Sequence, residues 1–199
     1  MTHTISSFKG GFNGGTRANR FLVTIPFPTT TTTTGGTTTT TTPPSDFTFH
    51  CVSAILPASE LGVIKVPYRG RMAYYAGDRD YKPWTVTILD DSGNKNYWIQ
   101  FQKWANLLNN HATNTTANAA YPIGGADPLL KDLTFTQLHS PATSGTGVAA
   151  GFDNLKKITL HHAWPSEIGE ITLDMAEGGS LISYSVTFVY NYLNINNHS

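Results

Sequence analysis

Chemistry in this chain would have to come from its histidines, its carboxylates, its one cysteine, or a basic and aromatic run between residues 68 and 82. Histidines stand at positions 3, 50, 111, 139, 161, 162 and 198. A metal site needs three or four ligands converging on one point. The spacing gives this little support, because His161 and His162 are adjacent in a strand-like stretch. Successive strand side chains point to opposite faces, so the two cannot chelate one ion together without a bulge. Asp78 with Asp80, or Glu167 with Glu170, have the composition of an acid/base pair, but they read as solvated turn residues with nothing beside them to shift a proton equilibrium. Cys51 is the only cysteine, which excludes an intrachain disulfide and a thiolate zinc cluster; it reads as an inert core thiol in a reducing cytosol. No Gly-x-Ser-x-Gly elbow, Walker loop or Gly-x-Gly-x-x-Gly turn is present. The expectation is a protein without catalysis, metal or cofactor.

The remaining constellation is Tyr68, Arg69, Arg71, Tyr74, Tyr75, Arg79, Tyr81 and Lys82, the one stretch able to stack on and clamp a nucleic acid. Asp78 and Asp80 interrupt its positive charge. Arg and Tyr are also the residues enriched at desolvated centres of protein interfaces. A subunit contact is the favoured reading.

The elements that must position these residues belong to a chain of 199 residues and 21.6 kDa, 39% hydrophobic, 12% aromatic and 13% charged, which suits one domain over residues 1–199 with a sizeable core. Lys plus Arg total 13, as do Asp plus Glu, so the formal net charge is zero. That balance gives no footprint for coating nucleic acid or an anionic membrane, and it lacks the self-repulsion that keeps chains apart. Self-association is expected. Met1 to Asn19 has no apolar signal-peptide core, and no run of 18 apolar residues occurs, so neither secretion nor membrane spanning is expected. Asn114-Thr115-Thr116 then reads as plain loop rather than a glycosylation site.

Residues 28–44 form a low-complexity insertion, Thr29 to Thr34 and Thr37 to Thr42 around Gly35-Gly36, expected as a mobile loop, with a long two-stranded threonine hairpin as the other reading. Strand alternation runs through Phe21, Val23, Ile25 and Phe27 and resumes at Phe47, Phe49 and Cys51, suggesting a hairpin between them. Trp84, Val86 and Ile88 alternate with Thr85 and Thr87, and Leu133, Phe135 and Gln137 suggest another strand. Leu155 to Ala163 and Glu170 to Met175 read as a pair around a Trp164-Pro165 turn. The last strand puts Ile182, Tyr184, Val186, Phe188, Tyr190 and Tyr192 on one face and Ser183, Ser185, Thr187 and Asn191 on the other. Only Tyr97, Trp98, Phe101, Trp104, Ala105 and Leu108 have helical spacing, with Asp91 or Ser92 as N-cap; this stripe should pack on a sheet. Gly124 to Pro128 and Ser140 to Gly151 are further loops. The fold class is mainly antiparallel β with one packed helix.

Three blocks add a resemblance. They are Asp46-Phe47-Thr48-Phe49-His50-Cys51 running to Leu56-Pro57-Ala58; Val66-Pro67-Tyr68-Arg69-Gly70-Arg71 to Ala76-Gly77-Asp78-Arg79 and Trp84-Thr85-Val86-Thr87; and Ala163-Trp164-Pro165-Ser166-Glu167-Ile168-Gly169-Glu170 with Leu173-Asp174 and Val186-Thr187-Phe188. In order and spacing, from about Asn19 to Leu193, they resemble the tail tube protein family of contractile-tailed, myovirus-type bacteriophages. The threonine insertion departs from that pattern.

The resemblance implies a β-sandwich or partial barrel with a helix packed on it. Homohexameric rings would stack into a hollow tube that a contracting sheath drives through the host envelope as the genome passes. It implies tail sheath, baseplate, tube-initiator and tape-measure proteins as partners, transiting DNA in the lumen, and a place in the virion tail after assembly in the host cytoplasm. Tyr68, Arg69, Arg71, Tyr74, Tyr75, Asp78 and Arg79 are then the expected subunit interface, and Ser183, Ser185, Thr187 and Asn191 the expected lumen wall. The alternatives are an inner-tube protein of a related contractile injection machine such as type VI secretion, a baseplate tube initiator, a nucleic-acid-binding module, and a carbohydrate-binding β-sandwich.

Overall fold

A computed structural model describes residue 5 and residues 17–34, 37–41, 50–91, 96–116, 129–138, 154–174 and 181–197. The expectations for Phe47, Phe49, His3, His139, His198 and the loops 124–128 and 140–151 lie outside the described residues.

The strands are β1 (Phe21–Thr24), β2 (Thr30–Thr34), β3 (Thr37–Thr41), β4 (Cys51–Ala54), β5 (Ser59–Tyr68), β6 (Arg71–Tyr81), β7 (Trp84–Leu89), β8 (Lys131–Leu138), β9 (Asn154–Ile168), β10 (Ser183–Val189) and β11 (Tyr192–Asn197); the helix α1 is Tyr97–Leu108. Seven strands form one antiparallel sheet in the order β1-β8-β9-β10-β7-β4, with β11 also on β9. The first part of β9 lies between β8 and β11, and its last residues, Trp164 to Ile168, pair with β10 instead.

Period-2 burial explains this sheet. In β7 the residues Trp84, Val86 and Ile88 are buried, and in β10 Tyr184, Val186 and Phe188 are, directly opposite them in register. Val23, Leu133, Phe135, Ile158 and Leu160 from the other flank join the same core cluster, so the sheet curls around one apolar face. Helix α1 closes it with Tyr97, Phe101 and Trp104, at i, i+4 and i+7. The Phe188 ring is the hub, with centroids 5.9 Å from Trp84, 5.9 Å from Phe101 and 6.2 Å from Trp104. Trp104 Nε1 donates to the Leu129 carbonyl at 2.8 Å, satisfying the one polar atom that this ring carries inward.

Several expectations are corrected. The N-cap of α1 is Asn96, whose side chain accepts from the Ile99 N–H at 3.1 Å, rather than Asp91 or Ser92, because the helix starts only at Tyr97. β1 and β4 do not pair with each other: β1 pairs β8 and β4 pairs β7, because alternation fixes which face of a strand is apolar but not its partner. β9 runs unbroken through Trp164-Pro165, and residues 170–174 form no strand. Pro165 is tolerated because it sits where the ladder to β10 shifts register, between Thr187 and Phe188. The final apolar strand is divided at Tyr190-Asn191, where the Asn191 N–H donates to the His161 carbonyl at 3.1 Å and the chain crosses from β7 and β9 to β9 alone. Ile182 precedes β10 and is exposed, and Tyr192 opens β11 against the His161 ring rather than entering the core. The threonine insertion forms a ladder rather than a structureless loop, with β2 and β3 paired from Thr30↔Thr41 to Thr34↔Thr37.

Candidate assembly surface

The basic and aromatic run folds as one arm. β5 and β6 form a two-stranded sheet that pairs with no other described strand. The turn is two residues long, Arg69 at φ 45° and Gly70 at φ 80°, the doubly left-handed pattern that matches the twist of a hairpin. The Arg69 guanidinium lies 5.5 Å from the centre of the Tyr68 ring.

Partway along, Gly77 and Asp78 on β6 oppose Gly62 alone on β5, a bulge. The backbones meet closely there: a Cβ on Gly62 would lie 3.1 Å from the Asp78 carbonyl oxygen, and one on Gly77 would lie 3.1 Å from the Gly62 carbonyl carbon. Since β5 alternates without interruption, its pairing defines the two faces of the arm. Leu61, Val63, Lys65 and Pro67 share one face with Met72, Tyr74, Ala76 and Arg79. Ile64, Val66 and Tyr68 share the other with Arg71, Ala73 and Tyr75.

Both faces are bare. Val63 and Tyr74 on the first are 60% and 65% exposed, and Ile64 and Tyr75 on the second 53% and 60%. A monomeric soluble domain rarely leaves contiguous apolar surface of this kind uncovered. At its base the arm is anchored by Lys82, whose N–H donates to the Ala58 carbonyl at 3.1 Å and whose Nζ lies 3.1 Å from Glu60 and 3.4 Å from Asp80. Hydrogen bonding to Glu60, then to Asp80, raises the Lys82 pKa. The Tyr81 ring contacts the ring of buried Tyr190 at 5.7 Å, joining arm to core.

The structure therefore separates the expected interface residues. Tyr68, Arg71 and Tyr75 lie on one face, Tyr74 and Arg79 on the other, Asp78 in the bulge and Arg69 at the tip. Leu61, Val63, Ile64, Val66 and Met72, which the sequence reading did not single out, are also exposed on the arm. A signal was available: Val63-Ile64 followed by Val66-Pro67 does not alternate, which means apolar side chains on both faces of a strand.

The polar face of the main sheet is separate. Ser183 and Ser185 are exposed, opposite Leu89 and Thr87, and half-buried Thr187 shares a 3.0 Å hydrogen bond with Thr85 through the two hydroxyls. Ser53 pairs with Thr87, Glu167 pairs with Thr187, and Ser166 Oγ donates to the Thr187 carbonyl at 3.1 Å. Asn191, the fourth expected member, stands in the bend after β10 rather than on this strand.

His161 and His162 do form a bulge, opposite Asp132, with His162 at φ 55°. The Asp132 carboxylate takes up both sides of it, Oδ2 lying 2.8 Å from His161 Nδ1 and Oδ1 accepting from the His162 N–H at 3.1 Å. Among the described residues no group of three or more His, Cys, Asp or Glu is arranged to hold a metal ion.

The sequence profile of the phage tail tube proteins matches residues 16–196. The chain belongs to that family. It is 27% identical over 149 residues to tail tube protein gp19 of Enterobacteria phage T4, covering 74% of this chain and 80% of the relative. It is 25% identical over 191 residues to the tail tube protein of Serratia phage KSP90, covering 94% of each. Among solved structures the fold is similar to the tube-terminating cap of the anti-feeding prophage, with TM-score 0.58 and 14% identity over 92% of this chain and 91% of that one. It is also similar to a chain of the PVC extracellular contractile injection system sheath–tube complex in the extended state, with TM-score 0.54 and 12% identity over 99% and 100%. As a tail tube protein the chain is a structural subunit of a phage tail, and the exposed arm becomes a candidate contact between its copies.

Proposed function

We propose that copies of this chain close into hexameric rings that stack into a hollow tube, with the β5–β6 arm as the contact between copies. The observation that carries this reading is the arm itself, apolar on both faces and paired with no other described strand, in a chain with zero net charge. An arm covered on both faces needs two surfaces around it, which a heterologous assembly supplies and a simple two-fold dimer does not. Tyr68, Arg71 and Tyr75 then face one surface and Tyr74 and Arg79 another, with Arg69 and Asp78 at tip and bulge.

The Ser53, Thr85, Thr87, Ser183, Ser185 and Thr187 face, with the Glu167 carboxylate beside Thr187, suits the lumen wall. Short uncharged hydroxyls offer no cation to grip a phosphate backbone passing along them. The expected surroundings are those of a contractile tail: a sheath outside, a baseplate and tube initiator below, tape-measure protein and then DNA within, and assembly in the host cytoplasm. The basic residues of the arm favour contact over DNA clamping, since the register divides Arg71 from Arg79 and places Asp78 beside the latter.

Electron microscopy of the purified protein over a concentration series tests the reading. Six-fold rings and hollow tubes are expected, and Arg79→Glu should reduce their yield. A persistent monomer that binds free DNA with steep salt dependence would overturn it.

A further inference from the structure

The threonine hairpin is the segment that the tube reading leaves without a role. β2 and β3 pair at five consecutive positions without a register shift, and among the described residues neither pairs with a third strand. In an antiparallel pair half of the backbone N–H and C=O groups point away from the partner, so both outer edges of this hairpin present groups that no described strand pairs. Natural edges are blunted with lysine, proline, inward charge or a bulge. The β5–β6 arm has such devices, with Lys65, Pro67 and the bulge at Gly77-Asp78. Thr30–Thr34 and Thr37–Thr41 have none.

The composition also limits what could bind. Ten threonines supply no large apolar group to dock in a groove and no charge to recognise a charged partner, which leaves the backbone edges as the recognition element. A lone two-stranded hairpin is marginally stable in water, and added strands complete it. The geometry points to a second copy of the same hairpin. Rotation about a ring axis carries β2 onto the next copy's β2 without reversing it, so β3 of one copy meets β2 of the next in the antiparallel sense already used within the hairpin. Threonine would face threonine in any register, and no like charges oppose one another.

We propose that the hairpins at residues 30–41 of neighbouring copies pair edge to edge, β3 of one against β2 of the next, forming a threonine collar additional to the contacts of the arm. This rests on the ring-and-tube reading above. The test uses the full chain in four mixtures, each of Thr31→Cys or Thr32→Cys with Thr39→Cys or Thr40→Cys, oxidised gently after assembly, with tubes scored by microscopy. The parent protein controls for Cys51, which is half-buried with its thiol pushed up to about 11 by burial. A disulfide joining the two different variants is expected in at least one mixture, in tubes and not in monomer. Amide exchange across residues 30–41 should also slow about tenfold or more on assembly. Tubes without any such disulfide and with unchanged exchange overturn the collar while leaving the tube intact. Cross-linking of single variants to themselves as readily as in the mixtures overturns the β3-to-β2 pairing. Absence of rings and tubes overturns the assembly reading first, and the collar with it.

Discussion

Asp132 and His162 are joined across the β8–β9 ladder by a 3.1 Å hydrogen bond from the His162 N–H to Asp132 Oδ1, at the residue where β9 takes a φ of 55°. Left-handed backbone is unfavourable for residues with a side chain, and least tolerable for a β-branched one. Asp132 offsets this with a second contact, 2.8 Å from Oδ2 to His161 Nδ1. Asp132→Ala should therefore lower stability by about 1 kcal/mol, a modest figure because its side chain is half exposed. His162→Val should destabilise more than His162→Gly. Thermal unfolding of the three variants checks the order, and equal melting for His162→Val and His162→Gly would show that the bulge stores no strain.

At the hub of the core, Phe188 touches Trp84, Phe101 and Trp104. Phe188→Ala should lose about 3–5 kcal/mol, a large share of the 5–15 kcal/mol that holds a typical domain. Denaturant titration should show the midpoint falling accordingly, with tube formation lost because the subunit itself is compromised.

Gly169 donates its N–H to the Ser185 carbonyl at 2.7 Å, and a Cβ there would lie 2.7 Å from Ser185 Oγ and 2.8 Å from the carbonyl oxygen. Gly169→Ala should cost about 1–3 kcal/mol by forcing β9 and β10 apart. Adding Ser185→Ala should restore little, since the carbonyl clash remains. Full recovery in the double variant would place the clash in the side chain alone.

Arm residues should separate folding from assembly. Ile64→Ala and Tyr75→Ala remove exposed side chains, so monomer stability should change by less than about 0.5 kcal/mol. Ring and tube yield should fall sharply, consistent with about 2 kcal/mol or more for truncating a central interface aromatic. Parallel melting curves and micrographs decide it: tubes at parent yield from both variants would remove this face of the arm from the contact.

Alkaline pH should weaken the fold. Burial pushes the Cys51 thiol from 9.0 to about 11 and raises Tyr184 and Tyr190 as well, the neighbouring Asp90 contributing at Tyr184 and Tyr81 at Tyr190. An acid whose folded pKa is raised stabilises the fold below its unfolded pKa and loses that contribution as pH rises toward the folded value. Stability should hold up to about pH 9 and decline above it. Alkylation of Cys51 in the native protein at pH 8 should be much slower than in the unfolded chain. A Cys51 that reacts equally fast in both states would contradict its burial.

What the sequence determined by itself was local. Period-2 alternation identified β7, β8 and the inward face of β10, and helical spacing identified α1 and its buried Tyr97, Phe101 and Trp104, because burial periodicity is written into neighbouring residues. The three sequence blocks carried the family, and the Ser183, Ser185 and Thr187 face followed from alternation alone. Partners were decided only by tertiary structure. Nothing local distinguishes β1 against β8 from β1 against β4, or says that β9 continues through Pro165, since those outcomes depend on contacts distant in sequence. The arm shows the same division most clearly. Its residue types raised the expectation of a contact surface, but one bulge at Gly77-Asp78 placed Arg79 with Tyr74 and away from Arg71, because an extra residue in one strand reverses the faces of everything beyond it.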